Sequence, residues 1–157
     1  MYTSVIIFCA SYVLYILTLL YATNLVLHFK TYGQKLLVLT IAGGILALLL
    51  AKIGALLYFD PRPFTHPGVV SIIPHAPDNG FPSDHELLAS VLAISTYVYF
   101  KLAGLLFGIL AIVIGAARVL AHVHSPIDVI GSMLIAALAV TSTLVLLKKL
   151  TISRELV

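Results

Sequence analysis

The chain has 157 residues, of which 61% are apolar and 10% charged, and its formal net charge at neutral pH is +3. A mean hydropathy of +1.13 excludes an ordinary soluble globule and predicts a polytopic helical membrane protein, since about 20 consecutive apolar residues cross a bilayer. The basic residues are spread over separate loops without an aromatic-basic groove, so no nucleic-acid partner is expected. Cys9 is the single cysteine, which excludes disulfide scaffolds and cysteine metal sites within one chain.

The apolar runs predict an all-α membrane bundle of about five transmembrane helices in a single domain, residues 1–157. The predicted spans are Ser4–Thr23, Leu36–Phe59, Glu86–Phe100, Leu102–His122 and Pro126–Leu147. The first span is long enough to cross and no basic region precedes it, so we expect a retained helix rather than a cleaved signal peptide.

The basic residues predict how the bundle is oriented. One set of loops and the tail carry six of them: Lys30, Lys35, Lys101, Lys148, Lys149 and Arg154. The opposite loops carry Arg62 alone, so the positive-inside rule makes the first face cytoplasmic. The long Asp60–His85 connection and the His122–Asp128 turn then share the outer face. We therefore expect a multi-pass cell-membrane protein whose site faces the extracytoplasmic side.

Lys52 and Arg62 flank the outer end of the second span, where a charge is costly unless it has a function. Lys52 could alternatively snorkel to the interface. The Asp60–His85 connection, which contains Arg62, is stiffened by six prolines and is long enough to form a lid or a substrate-entry wall. It also carries His66 and His75, to which the sequence assigns no role. The prolines are Pro61, Pro63, Pro67, Pro74, Pro77 and Pro82.

Ser83, Asp84, His85 and Glu86 stand together at the start of the third span. Ser83 followed by Glu86 three residues later predicts a capping box, with Ser83 as the N-cap of a helix. A helix start offers free backbone N–H groups to a phosphate, and His85 would lie in its first turn. The alternative is that Ser83 and Glu86 only cap the helix.

A second polar cluster follows the fourth span and contains Arg118, His122, His124 and Asp128. Ser125 and Pro126 predict the N-cap and first residue of the last helix, so Asp128 could serve only as a capping carboxylate. Alternatively, Asp128 accepts a hydrogen bond from His124 and leaves the other ring nitrogen free as a nucleophile. The fork of Arg118 suits a phosphoryl group, and His122 is either an interfacial residue or a substrate contact.

Three cations, a helix N-terminus and two histidines together indicate phosphoryl transfer through a covalent phospho-histidine. One histidine would attack the phosphorus while the other protonates the leaving oxygen. Metal chemistry is the weaker alternative, because the cations Lys52, Arg62 and Arg118 would repel a divalent ion and no set of carboxylates adjoins the histidines.

The order of these residues resembles the type-2 phosphatidic acid phosphatase superfamily of integral membrane phosphatases. Its motifs read Lys-x6-Arg-Pro, Pro-Ser-Gly-His and Ser-Arg-x5-His-x3-Asp. The match runs from Lys52 to Asp128, and Arg118, His124 and Asp128 have the spacing of the third motif. The resemblance implies a phosphatidic acid phosphatase/haloperoxidase-like helical core and a phosphatase that needs no metal or other cofactor.

Carried over residue by residue, the resemblance implies that His124 is the nucleophile, that Asp128 orients it and that His85 is the general acid. It also implies that the phosphoryl oxygens are held by Arg62, Arg118, Ser83, Lys52 and the backbone N–H of Asp84.

The sequence departs from the motifs at three positions. Asp84 replaces a Gly, as in the Pro-Ser-Asp-His form of bacterial undecaprenyl-diphosphatases of this superfamily, and must point away from the substrate or pair with Arg62. Ala117 replaces the Ser before the motif arginine. Lys52 precedes Arg62 by ten residues instead of seven, and Ala55 stands where the lysine is expected, about 4.5 Å further along the helix. The chain also has one span fewer before the first motif than six-helix members.

The sequence is compatible with three classes of function. We favour a lipid phosphatase that converts a polyprenyl diphosphate, such as the undecaprenyl carrier lipid, to its monophosphate; phosphatidic acid or phosphatidylglycerol phosphate are alternative substrates. The displaced Lys52 and the missing span would instead suit a non-catalytic protein that binds lipid phosphate. A transporter ranks lower, because the charges gather at one interface. The expected partners are therefore a lipid phosphate or diphosphate and the bilayer, while the oligomeric state is left open.

Overall fold

A computed structural model describes the backbone of residues 2–155 and the side chains of residues 2–150. Arg154, one of the predicted cytoplasmic cations, therefore has its side chain outside the described residues. The described chain is all-helical, which confirms the predicted fold class, and contains an isolated backbone bridge between Pro61 and Asn79 but no strand. Its helices are α1 (Tyr2–Ser11), α2 (Val13–Leu27), α3 (Gln34–Leu57), α4 (Asp84–Tyr99), α5 (Lys101–Leu120) and α6 (Pro126–Glu155).

Each predicted span corresponds to a helix or a pair of helices. Three described segments are long and apolar enough to cross a bilayer, namely Phe29–Leu57, Lys101–Leu120 and Pro126–Leu150. The first predicted span consists of α1 and α2, which are bent by 44° and make a fourth crossing if they count as one. The third predicted span, Glu86–Phe100, corresponds to α4, which at 16 residues is shorter than the three segments that are long enough to cross.

Helix α4 can be short and less apolar because it lies at the centre of the bundle. On one side it packs with α2 and α5, and on the other with α3 and α6. Small buried residues such as Ala89, Ser90 and Ala93 let the neighbouring helices approach closely. The large apolar side chains that α3, α5 and α6 expose form the lipid-facing surface expected of a membrane protein.

A tight reversal at Phe100 makes α4 and α5 antiparallel neighbours. Gly104 is required there, because a Cβ at this position would lie 2.2 Å from the Cα of Tyr97. The reversal places the start of α4 and the end of α5 at the same end of the bundle. The connections from α3 and into α6 reach that end too, so all the motif-bearing segments meet there.

The connection between the first two predicted spans is helical rather than an irregular loop. A π-helical turn, Phe29–Gly33, follows α2 and leads directly into α3. Gly33 permits it, because a Cβ there would lie 2.9 Å from the carbonyl oxygen of Leu25. Lys30 and Lys35 therefore lie on helical turns, at the end of the bundle opposite the motif residues.

Candidate active site

The ring of His124 is buried where the turn after α5 enters α6. Its Nδ1 lies 3.0 Å from the carbonyl oxygen of Gly80 and 3.2 Å from Oδ2 of Asp128. Both oxygens are acceptors, so Nδ1 carries the proton and donates it. The other nitrogen, Nε2, therefore carries the lone pair that a nucleophile needs.

Two buried arginines point their guanidinium groups at this lone pair. Arg62 Nη1 lies 3.3 Å and Arg118 Nη2 3.4 Å from Nε2 of His124. A guanidinium is a donor only, which supports the same assignment of the ring protons. Nε2 of His124 thus lies between two fixed positive charges. A bound anion can replace the lone pair as the acceptor of the arginine N–H groups.

The two arginines differ in how they are held. Arg62 donates to Asp78 Oδ1 at 2.6 Å, to the carbonyl oxygen of Val123 at 2.7 Å and to that of Asn79 at 3.3 Å. Arg118 has a buried Nε without a hydrogen-bond partner within the described structure. Arg62 therefore also holds the site together, whereas Arg118 retains a free donor for a ligand.

Asp128 acts both as a capping carboxylate and as the partner of His124. Its Oδ2 accepts a hydrogen bond from the backbone N–H of Ser125 at 2.8 Å, and α6 begins at Pro126 as predicted. Ser125 in turn donates its hydroxyl to Asp60, which ties the start of α6 to the long connection. The two alternatives left open for Asp128 are thus compatible, because the capped geometry aims the carboxylate at His124.

The turn between Arg118 and His124 has the hydrogen bonds of a Schellman motif. The N–H of His122 donates to the Val119 carbonyl at 2.9 Å, and that of Val123 to the Arg118 carbonyl at 3.3 Å. His122 occupies the left-handed position of this motif, with φ of 60°, where glycine is more usual. Its exposed ring contacts the carbonyl oxygen of Val70 at 2.9 Å through Nδ1, which places it at the rim.

The start of α4 agrees with the prediction in its position but not in its side-chain bonds. Ser83 is the N-cap and His85 lies in the first turn. The predicted capping box is wrong, because Ser83 makes no side-chain capping bond. Glu86 is fully buried instead and accepts a hydrogen bond from Ser90 at 2.8 Å, close to Gly115 of α5. The buried Ser83 hydroxyl has no partner in the described structure and can donate to a ligand oxygen.

Asp84 and Lys52 are both exposed. Of the two outcomes expected for Asp84, pairing with Arg62 is not observed, because Arg62 pairs with Asp78. The exposed Asp84 carboxylate still acts electrostatically on Arg118. Lys52 makes no hydrogen bond or ion pair with any described residue. Position 55, where the motif expects the lysine, borders the site, since the Ala55 carbonyl accepts a hydrogen bond from Asn79 at 3.1 Å. The structure therefore does not bring Lys52 to the other site residues.

Three residues of the long connection build the site although the sequence assigned them no role. Gly80 supplies the carbonyl that holds Nδ1 of His124, and a Cβ there would lie 2.7 Å from Oδ2 of Asp128. Asn79 accepts hydrogen bonds from the backbone N–H groups of Asp60 and Phe81. Asp78 pairs with Arg62. Only the turn-forming Asn79-Gly80 pair could have pointed to them.

Ala117, which replaces the motif serine, packs in an apolar cluster with Ile6, Ala10 and Ala121. An alanine methyl suits this environment, where a hydroxyl would need a partner. Across the described chain, no three His, Cys, Asp or Glu side chains are grouped closely enough to hold a metal ion.

Burial and neighbouring cations lower the pKa values of the site histidines. Burial, then the charge of Arg118, lower the pKa of His85 from 6.5 to about 4. Burial also lowers the pKa of His124, although the hydrogen bond with Asp128 opposes this effect. At neutral pH both rings are therefore uncharged in the ligand-free protein. A bound anion would raise both pKa values again.

We expect the ligand-free protein to lose stability as the pH falls from about 6.5 towards 4. In this interval the unfolded chain binds a proton at His85 and the folded chain does not, so acid favours unfolding. Melting temperatures in detergent should therefore fall with pH, and His85→Gln should make that dependence shallower, although His124 and His75 still contribute to it. His66→Gln, at an exposed position of the same connection, is the matched control and should keep the wild-type slope. An unchanged slope in His85→Gln would contradict the assignment.

Comparison with known proteins gives a consistent picture. The sequence model of the PAP2 protein family, described as the PAP2 superfamily, matches residues 33–152. A curated relative from Bacillus licheniformis, named bacitracin transport permease protein BcrC, is 32% identical over 143 residues, which cover 88% of this chain and 68% of the relative. The undecaprenyl-diphosphatase BcrC of Bacillus subtilis (strain 168) is 37% identical over 93 residues, or 59% of this chain.

The match spans 48% of the Bacillus subtilis protein and 40% of a third relative, the putative undecaprenyl-diphosphatase YbjG of Escherichia coli (strain K12), which is 35% identical over 79 residues. Among solved structures, the crystal structure of Aquifex aeolicus LpxE aligns with a TM-score of 0.69 at 24% identity. The alignment covers 90% of this chain and 82% of that one, which shows a common fold.

Proposed function

Because the chain belongs to the PAP2 superfamily, we propose that it is a membrane lipid phosphatase that hydrolyses a polyprenyl diphosphate, of the undecaprenyl type, to the monophosphate and inorganic phosphate. The reaction would proceed through a phospho-histidine at His124. The observation that carries the proposal is the free lone pair on Nε2 of His124, fixed by Asp128 and flanked by two guanidinium groups.

In the first step, Nε2 of His124 attacks the terminal phosphorus and the bond to the bridging oxygen breaks. Arg62 and Arg118 turn their donors from Nε2 to the phosphoryl oxygens, where charge develops in the transition state. The negative charge of the substrate raises the pKa of His85, which protonates the leaving oxygen of the lipid monophosphate. Asp128 stabilises the positive charge that forms on the His124 ring.

In the second step, neutral His85 accepts a proton from water as the water oxygen attacks phosphorus. The bond between phosphorus and Nε2 of His124 breaks, and inorganic phosphate leaves. The neutral ring of His124 is restored, and the proton on His85 is released. The buried, unpartnered hydroxyl of Ser83 would donate to a phosphoryl oxygen in both steps.

The names of the relatives support the choice of substrate. Two are named for diphosphatase activity on an undecaprenyl lipid, and the apolar outer faces of the helices allow a prenyl tail to lie beside the site. Phosphatidic acid and phosphatidylglycerol phosphate are the alternative substrates of the same chemistry.

The purified protein in detergent should release phosphate from a prenyl diphosphate. Release should continue in EDTA, because Arg62 and Arg118 supply the positive charge, and vanadate should inhibit it as a mimic of the phosphoryl transition state. Rates measured side by side on a prenyl diphosphate, phosphatidic acid and phosphatidylglycerol phosphate would identify the preferred substrate. No release from any lipid phosphate would contradict the enzymatic proposal.

We also propose that the site faces the extracytoplasmic side, on the basis of the positive-inside rule. A cysteine introduced at exposed Val70, in a Cys9→Ser background, should react with a membrane-impermeant maleimide in intact cells. A cysteine at Lys35, at the other end of the bundle, should react only after the membrane is opened. The reverse pattern would place the site in the cytoplasm.

One relative carries the name of a transport permease, so transport is the second candidate function. A protein that only binds or moves lipid phosphate would release no phosphate in the same assay. We favour catalysis because the orientation of His124 by Asp128 activates a nucleophile, which binding or transport alone does not require.

A further inference from the structure

His75 of the long connection lies beside the nucleophile although it belongs to none of the three motifs. Its ring centroid is 6.0 Å from that of His124, and the two rings meet edge to face at 76°. The side chain is half-buried, and its Nδ1 makes a long hydrogen-bond contact, 3.4 Å, with the carbonyl oxygen of Ala76.

The connection holds His75 in this place from both sides. Before it, Ile73 is buried against α1 and the end of α5, and the Ile72 N–H donates to the Ala121 carbonyl at 3.0 Å. After it, Asp78 is paired with Arg62. Pro74 and Pro77 stiffen the segment between these anchors. A ring held in this way is part of the wall of the site.

The charged groups that act on His75 are those of the site. Burial, then the charges of Arg62 and Arg118, lower its pKa, and His124 contributes in the same direction. His75 in turn acts electrostatically on His85 and on the exposed carboxylate of Asp78. Together with the edge-to-face contact of its ring with that of His124, these interactions place His75 at the space that both catalytic histidines and both guanidinium groups border.

We propose that His75 binds the phosphate that is not transferred, and thereby makes the enzyme selective for lipid diphosphates over lipid monophosphates. This inference rests on the proposed function. When the terminal phosphoryl group contacts Nε2 of His124, Arg62 and Arg118 are committed to its oxygens. The second phosphate is one bridging oxygen away and must lie next to His85, which protonates that oxygen. Because the contact between its Nδ1 and the Ala76 carbonyl oxygen is long, at 3.4 Å, His75 can give it up and donate a ring N–H to the second phosphate from the neighbouring wall.

Binding of two small probes tests the inference without relying on turnover. Methylenediphosphonate carries two linked phosphonates that cannot be hydrolysed, and methylphosphonate carries one. The affinities of both are measured for the purified wild-type protein, His75→Ala, His75→Asn and the control His66→Ala. We expect His75→Ala to weaken diphosphonate binding about tenfold or more, as expected for loss of a hydrogen bond to a charged group, and to leave methylphosphonate binding unchanged.

His75→Asn keeps a side-chain N–H and should recover part of the lost affinity, while His66→Ala should bind both probes like the wild type. Equal weakening of both probes, no weakening, or no saturable binding of the diphosphonate to the wild type would overturn the role of His75. Phosphate release from prenyl diphosphate is measured separately on the wild type. If the wild type released no phosphate, the proposed function would be contradicted, whereas the probe affinities would still decide the role of His75.

Discussion

Replacing His124 by alanine should reduce phosphate release from a prenyl diphosphate by about a thousandfold or more. Loss of a covalent nucleophile has effects of this size, because positioning and charge stabilisation alone sustain only residual catalysis. The buried ring is held by Gly80 and Asp128, so His124→Ala also leaves a cavity. His124→Gln, which fills more of that space, should be inactive as well.

His66→Ala is the matched control, because this histidine is exposed on the same connection. It should retain wild-type turnover. Melting temperatures of all three variants in detergent would separate loss of chemistry from loss of folding. A stably folded His124→Gln with more than a few per cent of wild-type turnover would exclude His124 as the nucleophile.

Arg118→Gln should lower kcat/KM by about a hundredfold and weaken vanadate inhibition in parallel. Donors aimed at developing charge contribute about this much to catalysis, and Gln supplies neither the charge nor the fork. Arg118 is the more informative arginine, because Arg62 also satisfies the buried carbonyl of Val123 and its removal would disturb the fold.

Lys52→Ala provides the contrast, and we expect it to lower kcat/KM by less than about tenfold. The Lys52 side chain is exposed, so solvent and salt partly screen the attraction between its charge and the substrate. Losses of equal size in the two variants would show that Lys52 reaches the phosphoryl group in the substrate-bound state.

The helices were predictable because long apolar runs and capping signals act locally. Ser83 and the Ser125-Pro126 pair marked the starts of α4 and α6 correctly. The capping box failed because tertiary packing decides where Glu86 points, and burial against α5 outweighs a local capping bond. The bend between α1 and α2 likewise has no clear sequence signal.

The motif spacing predicted that His124, Asp128 and Arg118 are neighbours. Arg118 lies in the last turn of α5, Asp128 in the first turn of α6, and His124 in the short connection between them. The loop contribution could not be predicted, because Gly80 and His75 reach His124 only through the path of a long irregular connection. That path depends on anchors such as Ile73, whose burial is not visible in the sequence.

The most direct test is to trap the phosphorylated enzyme. In His85→Gln the second step should be slowed more than the first, because a lipid monophosphate can leave without being protonated whereas the attacking water needs a base. Brief incubation with prenyl diphosphate should therefore leave a phosphoryl group on the protein. Trypsin can cleave after Arg118 and Lys148, and tandem mass spectrometry of the 119–148 peptide at neutral pH can distinguish His122 from His124. We predict phosphorylation of His124 alone. Phosphate on His122, or an unmodified peptide from protein that still turns over substrate, would contradict the assignment of His124 as the residue attacked.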